Sequence, residues 1–227
     1  MSLSVADNEH VALIGANGCG KSTLLRTIMN LVDTKSGEIF YRGHEITRLK
    51  PEAISAAGIG YLKQSENVFS QLTVRDNLLL AADWSKSDSA RRDAVLSHFP
   101  AVRGQLDLRA GLLSGGQRQA LALAMILTRP IKLLLLDEPI SGLSPSASVE
   151  LLHSLESLRE QYSFASIVVE HRLKRIHPFV SRVVVMREGR IVDDTTDTSR
   201  MLDAGWLELR YKSRHETEHY MRPEDGE

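Results

Sequence analysis

Sulfur, aromatic rings and net charge are all scarce in this chain. Cys19 is its one cysteine, which rules out an internal disulfide and suits a reducing compartment. Lys and Arg number 28 against 29 Asp and Glu, so no overall basic field exists and no nucleic-acid partner is expected. No apolar run reaches the roughly 20 residues that span a bilayer, and no signal peptide opens the sequence. Any membrane role must therefore come through partner chains. No heptad run is sustained, which excludes coiled-coil arms. Trp, Tyr and Phe make up only 5% of the residues, and none precedes Phe40. What remains, 227 residues with 42% apolar content, is enough for one large core or a core with an inserted subdomain.

The stretch Gly15-Ala16-Asn17-Gly18-Cys19-Gly20-Lys21-Ser22 satisfies the phosphate-cradling pattern G-x-x-x-x-G-K-[ST]. Its context is right. His10-Val11-Ala12-Leu13-Ile14 reads as a buried strand, and Leu24, Leu25, Ile28 and Met29 after Thr23 fall at helical spacing. Glycines let successive N–H groups turn inward, and the following helix adds its positive end to the same point. Lys21 offers a point charge to the outer phosphates, and the Ser22 hydroxyl is placed to ligate a magnesium ion shared with them.

Upstream of this loop, residues 1–9 carry Leu3 and Val5 in alternation, like the tail of a strand. Residues 36–43 read as a strand with a turn at each end, on an antiparallel edge, and 59–62 as a further short strand. Helical patterning then takes over: residues 73–83 with a Thr cap, 89–99, and 114–128. Strands return at 132–136, 167–170 and 183–186, the last turning back through 187–190 as a hairpin, with an amphipathic helix at 145–161 between the first two. Strands alternating with helices imply an α/β fold with a mostly parallel sheet. We expect an α/β core in residues 1–64 and 128–211, a helical insert in 65–127, and a loosely held polar tail in 212–227.

Two more stations carry chemistry. Asp137 and Glu138 end the leucine-rich strand, where a second magnesium-positioning carboxylate is expected; Asp137 would hold the ion through water and Glu138 would polarise the attacking water. Taken without the phosphate loop, the pair would be no more than two acids before Pro139. Leu113-Ser114-Gly115-Gly116-Gln117 sets a serine cap and two glycines at a helix start, which is either an ordinary capped terminus or a second anion-binding surface.

Taken together, the phosphate loop, Asp137-Glu138 and this pentapeptide resemble the motif set of ABC-type ATPases, in the family's order from His10 to about Val192. The resemblance implies a P-loop NTPase core with a small antiparallel β subdomain and an inserted helical subdomain, binding ATP and Mg²⁺. It also implies head-to-tail pairing, as a homodimer or with a paralogous subunit, in which Ser114, Gly115, Gly116 and Gln117 complete the site of the other copy. Gln64 occupies the position of the glutamine that links magnesium and the attacking water to the transmembrane partner. His171 falls at the family's switch histidine, and Ser141-Gly142-Leu143-Ser144-Pro145 resembles the loop that crosses the dimer interface.

Residues 36–38, 58–61, 68–69, 72–78 and 112–117 are most similar to ATP-binding subunits of branched-chain amino acid and urea importers. The implied setting is the cytoplasmic face of the cell membrane, with the chain held there by transmembrane permease subunits. Residues 65–80 would contact them, although Val68, Phe69 and Leu72 fit the insert's own core equally well. Two departures stand out. The family's adenine-stacking aromatic lies upstream of the phosphate loop, and here either the chain begins late, with its small antiparallel sheet shortened, or adenine is held another way. Ser144 stands where an aspartate is usual. A soluble ATPase of this class, acting in DNA repair, chromosome organisation or translation, is the alternative, and a P-loop kinase would explain only the first motif.

Overall fold

The computed structural model describes residues 1–81 and 89–211; the expected end of the first helix of the insert at Asp83 and the tail at 212–227 lie outside them. In chain order the elements are β1 (His10–Gly15), α1 (Lys21–Ile28), β2 (Phe40–Tyr41), β3 (His44–Glu45), α2 (Pro51–Ala56) and β4 (Ile59–Leu62). Then come α3 (Val74–Ala81), α4 (Ser89–Ser97), α5 (Pro100–Arg103), α6 (Gly115–Leu127), β5 (Leu133–Asp137) and α7 (Pro145–Tyr162). The chain continues through β6 (Ala165–Val169), α8 (Leu173–Ile176), β7 (Arg182–Arg187), β8 (Arg190–Thr195) and α9 (Ala204–Tyr211).

The main sheet runs β4-β5-β6-β1-β7-β8, parallel throughout except for the β7–β8 hairpin at its edge. Its central strands are buried on both faces, and the period of two splits each between two cores. On β1, Ala12 and Ile14 join one core with Leu134, Leu136, Val183 and Val185, while Val11 and Leu13 join the other with Leu135, Val184, Leu25 and Ile54. Helices α6 and α7 cover the first face, α1 and α2 the second. Because the strands are parallel, Gly15, Leu62, Asp137 and Val169 all end at one side, and every loop leaving them converges there.

Two sequence expectations change. Residues 1–9 form no strand: the Ser4 carbonyl accepts from Arg182 Nη1 at 2.9 Å instead of joining a ladder, and Leu3 and Val5 are packed against the second core. The strand expected between the two turns of 36–43 shortens to Phe40–Tyr41; its second turn stands where expected, with Arg42 and Gly43 both at positive φ, and leads into its partner His44–Glu45. A left-handed Gly37 (φ 93°) ends any extension backwards, and the Ile39 amide bonds the Thr47 hydroxyl at 2.9 Å in place of a backbone partner.

Opposite the site end, His10 is 5% exposed, with Nδ1 2.8 Å from Ser166 Oγ and its ring against Phe164 and Phe179. Burial, aided by the Arg159 charge, pushes its pKa down from 6.5 to about 4. The folded state thus resists a proton that the unfolded chain accepts. Stability should be complete above pH 6.5 and fall as pH drops from there toward 4, by about 2–3 kcal/mol at most. Thermal midpoints measured across that window should slope less steeply for His10→Gln; parallel slopes would remove His10 as the cause.

Candidate functional site

The loop between β1 and α1 is shaped by steric demand. A Cβ on Gly15 would lie 2.2 Å from the Met186 carbonyl oxygen of neighbouring β7, so only glycine fits where the two backbones touch. Gly18 and Gly20 follow with φ of 76° and 107°, and Gly20 ends the loop in left-handed conformation at the start of α1. Asn17 and Gly18 lie exposed at the tip, Cys19 is buried beneath, and Thr23 is exposed on the first turn of α1. Lys21 is 6% exposed, and its Nζ donates across the loop mouth to the Gly15 and Ala16 carbonyls at 2.7 and 3.0 Å.

Ser22 Oγ donates to Asp137 Oδ1 at 2.9 Å, joining residues 115 positions apart. The other oxygen, Oδ2, accepts from the Tyr61 hydroxyl at 3.3 Å. Asp137 is 1% exposed, and burial pushes its pKa up against the pull of those two donors. Burial, with the neighbouring Asp137 charge next, likewise raises Tyr61. Among the described residues no cluster of three or more His, Cys, Asp or Glu side chains could cage a metal. The donor set at hand, one hydroxyl and one carboxylate beside a phosphate loop, fits magnesium, which keeps waters and takes most of its remaining ligands from phosphates.

Glu138 follows in left-handed conformation with φ 53°, a strained setting of order 1–3 kcal/mol for a residue with a side chain. Its amide still bonds the Val169 carbonyl at 2.8 Å, the last rung between β5 and β6. The turn swings the carboxylate sideways, so that Oε2 accepts from Gln64 Nε2 at 2.9 Å and Oε1 lies 3.1 Å from His171 Nε2. The His171 hydrogen bond, outweighing burial, holds the Glu138 pKa below the usual carboxylate range. An ionised carboxylate therefore stands between the two residues expected beside it.

Ser114 caps α6 in a full capping box: its Oγ accepts from the Gln117 amide at 3.2 Å, while Gln117 Oε1 accepts from the Ser114 amide at 2.9 Å. Ser114 and Gly115 are exposed. Gly116 has a packing reason, since a Cβ there would meet the Ala147 Cβ of α7 at 2.9 Å. Ser144 caps α7, accepting from the Ala147 amide at 3.3 Å, so the residue that departs from the family's aspartate still does an aspartate's local task.

Sequence reasoning passed over Tyr61, Glu170 and Arg172. Tyr61 reads as a core strand residue, and Glu170 as the last residue of a strand that in fact ends at Val169. A charged residue directly after the apolar strand positions Ile167, Val168 and Val169 was the available signal. Glu170 is 1% exposed and accepts three backbone N–H groups from two loops.

A parallel sheet with a phosphate loop after β1 and an acidic pair at the end of β5, one strand removed across β6, defines a P-loop nucleotide hydrolase. The sequence model of the ABC transporter family matches residues 1–141, and the chain belongs to that family. It is 38% identical over 194 residues to the probable branched-chain amino acid transport ATP-binding protein LivF of Archaeoglobus fulgidus, covering 85% of this chain and 82% of that one. It is 37% identical over 194 residues to the high-affinity branched-chain amino acid transport ATP-binding protein BraG of Pseudomonas aeruginosa, at 85% and 83% coverage. The fold matches the ADP conformation of MJ1267, an ATP-binding cassette of an ABC transporter, with TM-score 0.78 at 22% identity over 98% of this chain and 91% of that one. The protein is thus a transporter ATPase, and these relatives do not favour the soluble alternative.

Proposed function

We propose that the chain binds MgATP at Gly15–Thr23 and hydrolyses it to drive a membrane importer of branched-chain amino acids, urea or related small solutes. The observation carrying the mechanism is the convergence of Ser22, Asp137, Glu138, Gln64 and His171 at one end of the sheet through direct hydrogen bonds. The cargo reading rests on the names of the two branched-chain relatives. Residues 1–64 with 128–211 act as the ATPase core and 65–127 as the insert.

Ser22, Asp137 and Gln64 would hold magnesium, with Tyr61 orienting the Asp137 carboxylate. When bound, the ion offsets charge on the phosphates. Loop amides and Lys21 bind the triphosphate; Glu138, kept ionised by His171, takes a proton from the attacking water; His171 steadies that carboxylate and faces the outer phosphate. Ser114–Gln117 closes on the nucleotide of a second, head-to-tail copy, identical or paralogous.

Among the described residues no helix is long and apolar enough to cross a membrane, so permease subunits would supply the membrane attachment. The segment before α3 suits that contact. Phe69 is 58% exposed, yet its backbone is clamped by the fully buried Asn77, whose Oδ1 accepts from Phe69 N at 2.7 Å and whose Nδ2 donates to Phe69 O at 3.0 Å. Val68 instead packs on the insert core, so the two apolar neighbours divide between the two readings of this segment.

Lys21→Ala removes a charge-assisted contact worth about 1.5–3 kcal/mol, so ATP affinity should fall about 10- to 150-fold in a nucleotide-binding titration. Purification from membranes with the associated subunits identified, followed by ATP-driven uptake in vesicles, tests the transport assignment. An ATPase that copurifies with no membrane subunit would overturn it.

A further inference from the structure

The acid that follows β6 takes no part in the chemistry assigned above, although its burial is nearly complete. Glu170 survives there because both of its oxygens are filled by main-chain donors. Oε1 accepts from Ile140 N at 3.1 Å, and Oε2 from His171 N at 2.7 Å and Arg172 N at 3.1 Å. The first donor belongs to the loop leaving β5 and the other two to the loop leaving β6. A second arm runs in the same direction. Arg172 Nη1 donates to the Leu143 carbonyl at 3.0 Å, and one turn on, Arg175 Nη1 donates to the Pro145 carbonyl at 2.9 Å.

Strand pairing cannot supply this connection. Asp137 lies opposite Val169, the Glu138 amide makes the final rung, and beyond it the two loops have no ladder. Side chains from the β6 loop take over and stitch 140–145 from the turn behind Glu138 to the start of α7. The stitched segment contains Ser141–Ser144, and the stitching segment contains His171.

We propose that Glu170 and Arg172 are positioning residues that together clamp the 140–144 loop to the histidine loop, fixing His171 against Glu138 and passing any shift of the former loop to that pair. The proposal rests on the reading of Glu138 and His171 as the hydrolytic pair. The physics favours a positional role. A near-attack geometry tolerates little error, and misplacement by about 1 Å can cost 100-fold in rate. Glu138 is already held in a strained conformation that neighbouring contacts must maintain. The Glu170 carboxylate is the acceptor-only group that three converging N–H donors require. A glutamine of the same size would turn an NH₂ toward one of them and open one side of the clamp.

The test uses the full chain and compares Arg172→Met, Arg172→Lys and Glu170→Gln with the parent and with Glu138→Gln. Thermal unfolding verifies folding, a fluorescent ATP analogue reports binding, and steady-state MgATP hydrolysis separates KM from kcat. Arg172→Met and Glu170→Gln should keep Kd and KM within about twofold while kcat falls about 10- to 100-fold. Arg172→Lys, which retains one donor for the Leu143 carbonyl, should recover most of that loss. A purely structural role would lower the unfolding midpoint without this split. If Glu170→Gln fails to fold, Arg172→Met decides, since Arg172 is only half-buried. A folded Arg172→Met enzyme with parental kcat, beside an inert Glu138→Gln, overturns the clamp alone. Parental turnover by Glu138→Gln overturns the hydrolytic reading beneath it.

Discussion

Glu138→Gln should lower the rate of ATP turnover by at least about 100-fold, the bottom of the range for loss of a general base, while nucleotide affinity stays near that of the parent. The amide has the carboxylate's shape, so Gly15–Thr23 and the Ser22–Asp137 pair are untouched. Its chemistry differs in two respects. It cannot take a proton from water at neutral pH, and it must aim an NH₂ at either Gln64 or His171, both of which now approach an acceptor at 2.9 and 3.1 Å. His171 keeps the native carboxylate ionised by its hydrogen bond, so the base is ready across the neutral range and the loss should be a fall in kcat at every pH above the Glu138 pKa. With binding intact and chemistry stalled, two copies should remain closed around ATP, visible as an ATP-dependent dimer by size-exclusion chromatography. Turnover at the parental rate would assign the base elsewhere.

What could be read from the sequence, and what could not, follows from the range of the interactions involved. The phosphate loop is local chemistry: eight consecutive residues specify the turn, the helix start and the charge, so spacing alone suffices. Continuous apolar runs such as 133–136 announce strands buried on both faces, and from those the parallel sheet follows. By contrast, Tyr61 acquires its task only because β4 lies beside β5 in a register that sets Tyr61 opposite Leu135, two residues short of Asp137. Glu170 depends on where β6 stops relative to β5. No periodicity encodes either fact. The strand expected between the two turns of 36–43 came out shorter for the opposite reason: Ile39, Phe40 and Tyr41 are β-prone, but the Ile39 amide goes to the Thr47 hydroxyl and only its carbonyl keeps a rung, from the Ile46 amide at 2.8 Å. Helix α9 was also missed, although Trp206, Leu207 and Tyr211 are buried on it, because its apolar face is short and abuts a polar tail.

Gly115→Asp should abolish hydrolysis by a homodimer without weakening the fold. Gly115 is the first residue of α6 and is exposed; an added Cβ would meet only Leu143 Cδ2, at an ordinary 3.8 Å. Helix starts welcome acids, at about 0.3–1 kcal/mol each, so the unfolding midpoint should hold or rise. Gly116 would be the wrong choice, because a side chain there collides with Ala147 and any loss could be blamed on folding. The new carboxylate would occupy the anion-binding face that Ser114 and the bare helix start offer to a partner's nucleotide, replacing attraction with like-charge repulsion. ATP binding to the isolated chain at its own loop should be unaffected. The decisive measurement mixes this variant with Glu138→Gln, each inert alone. In a mixed dimer one composite site combines the intact Glu138 of the first with the intact helix start of the second, while the other site carries both defects. Random pairing should restore about a quarter of parental activity if each site is shared head to tail. A mixture shown to contain mixed dimers that stays inert would mean that each chain works with its own Ser114–Gln117, or with none.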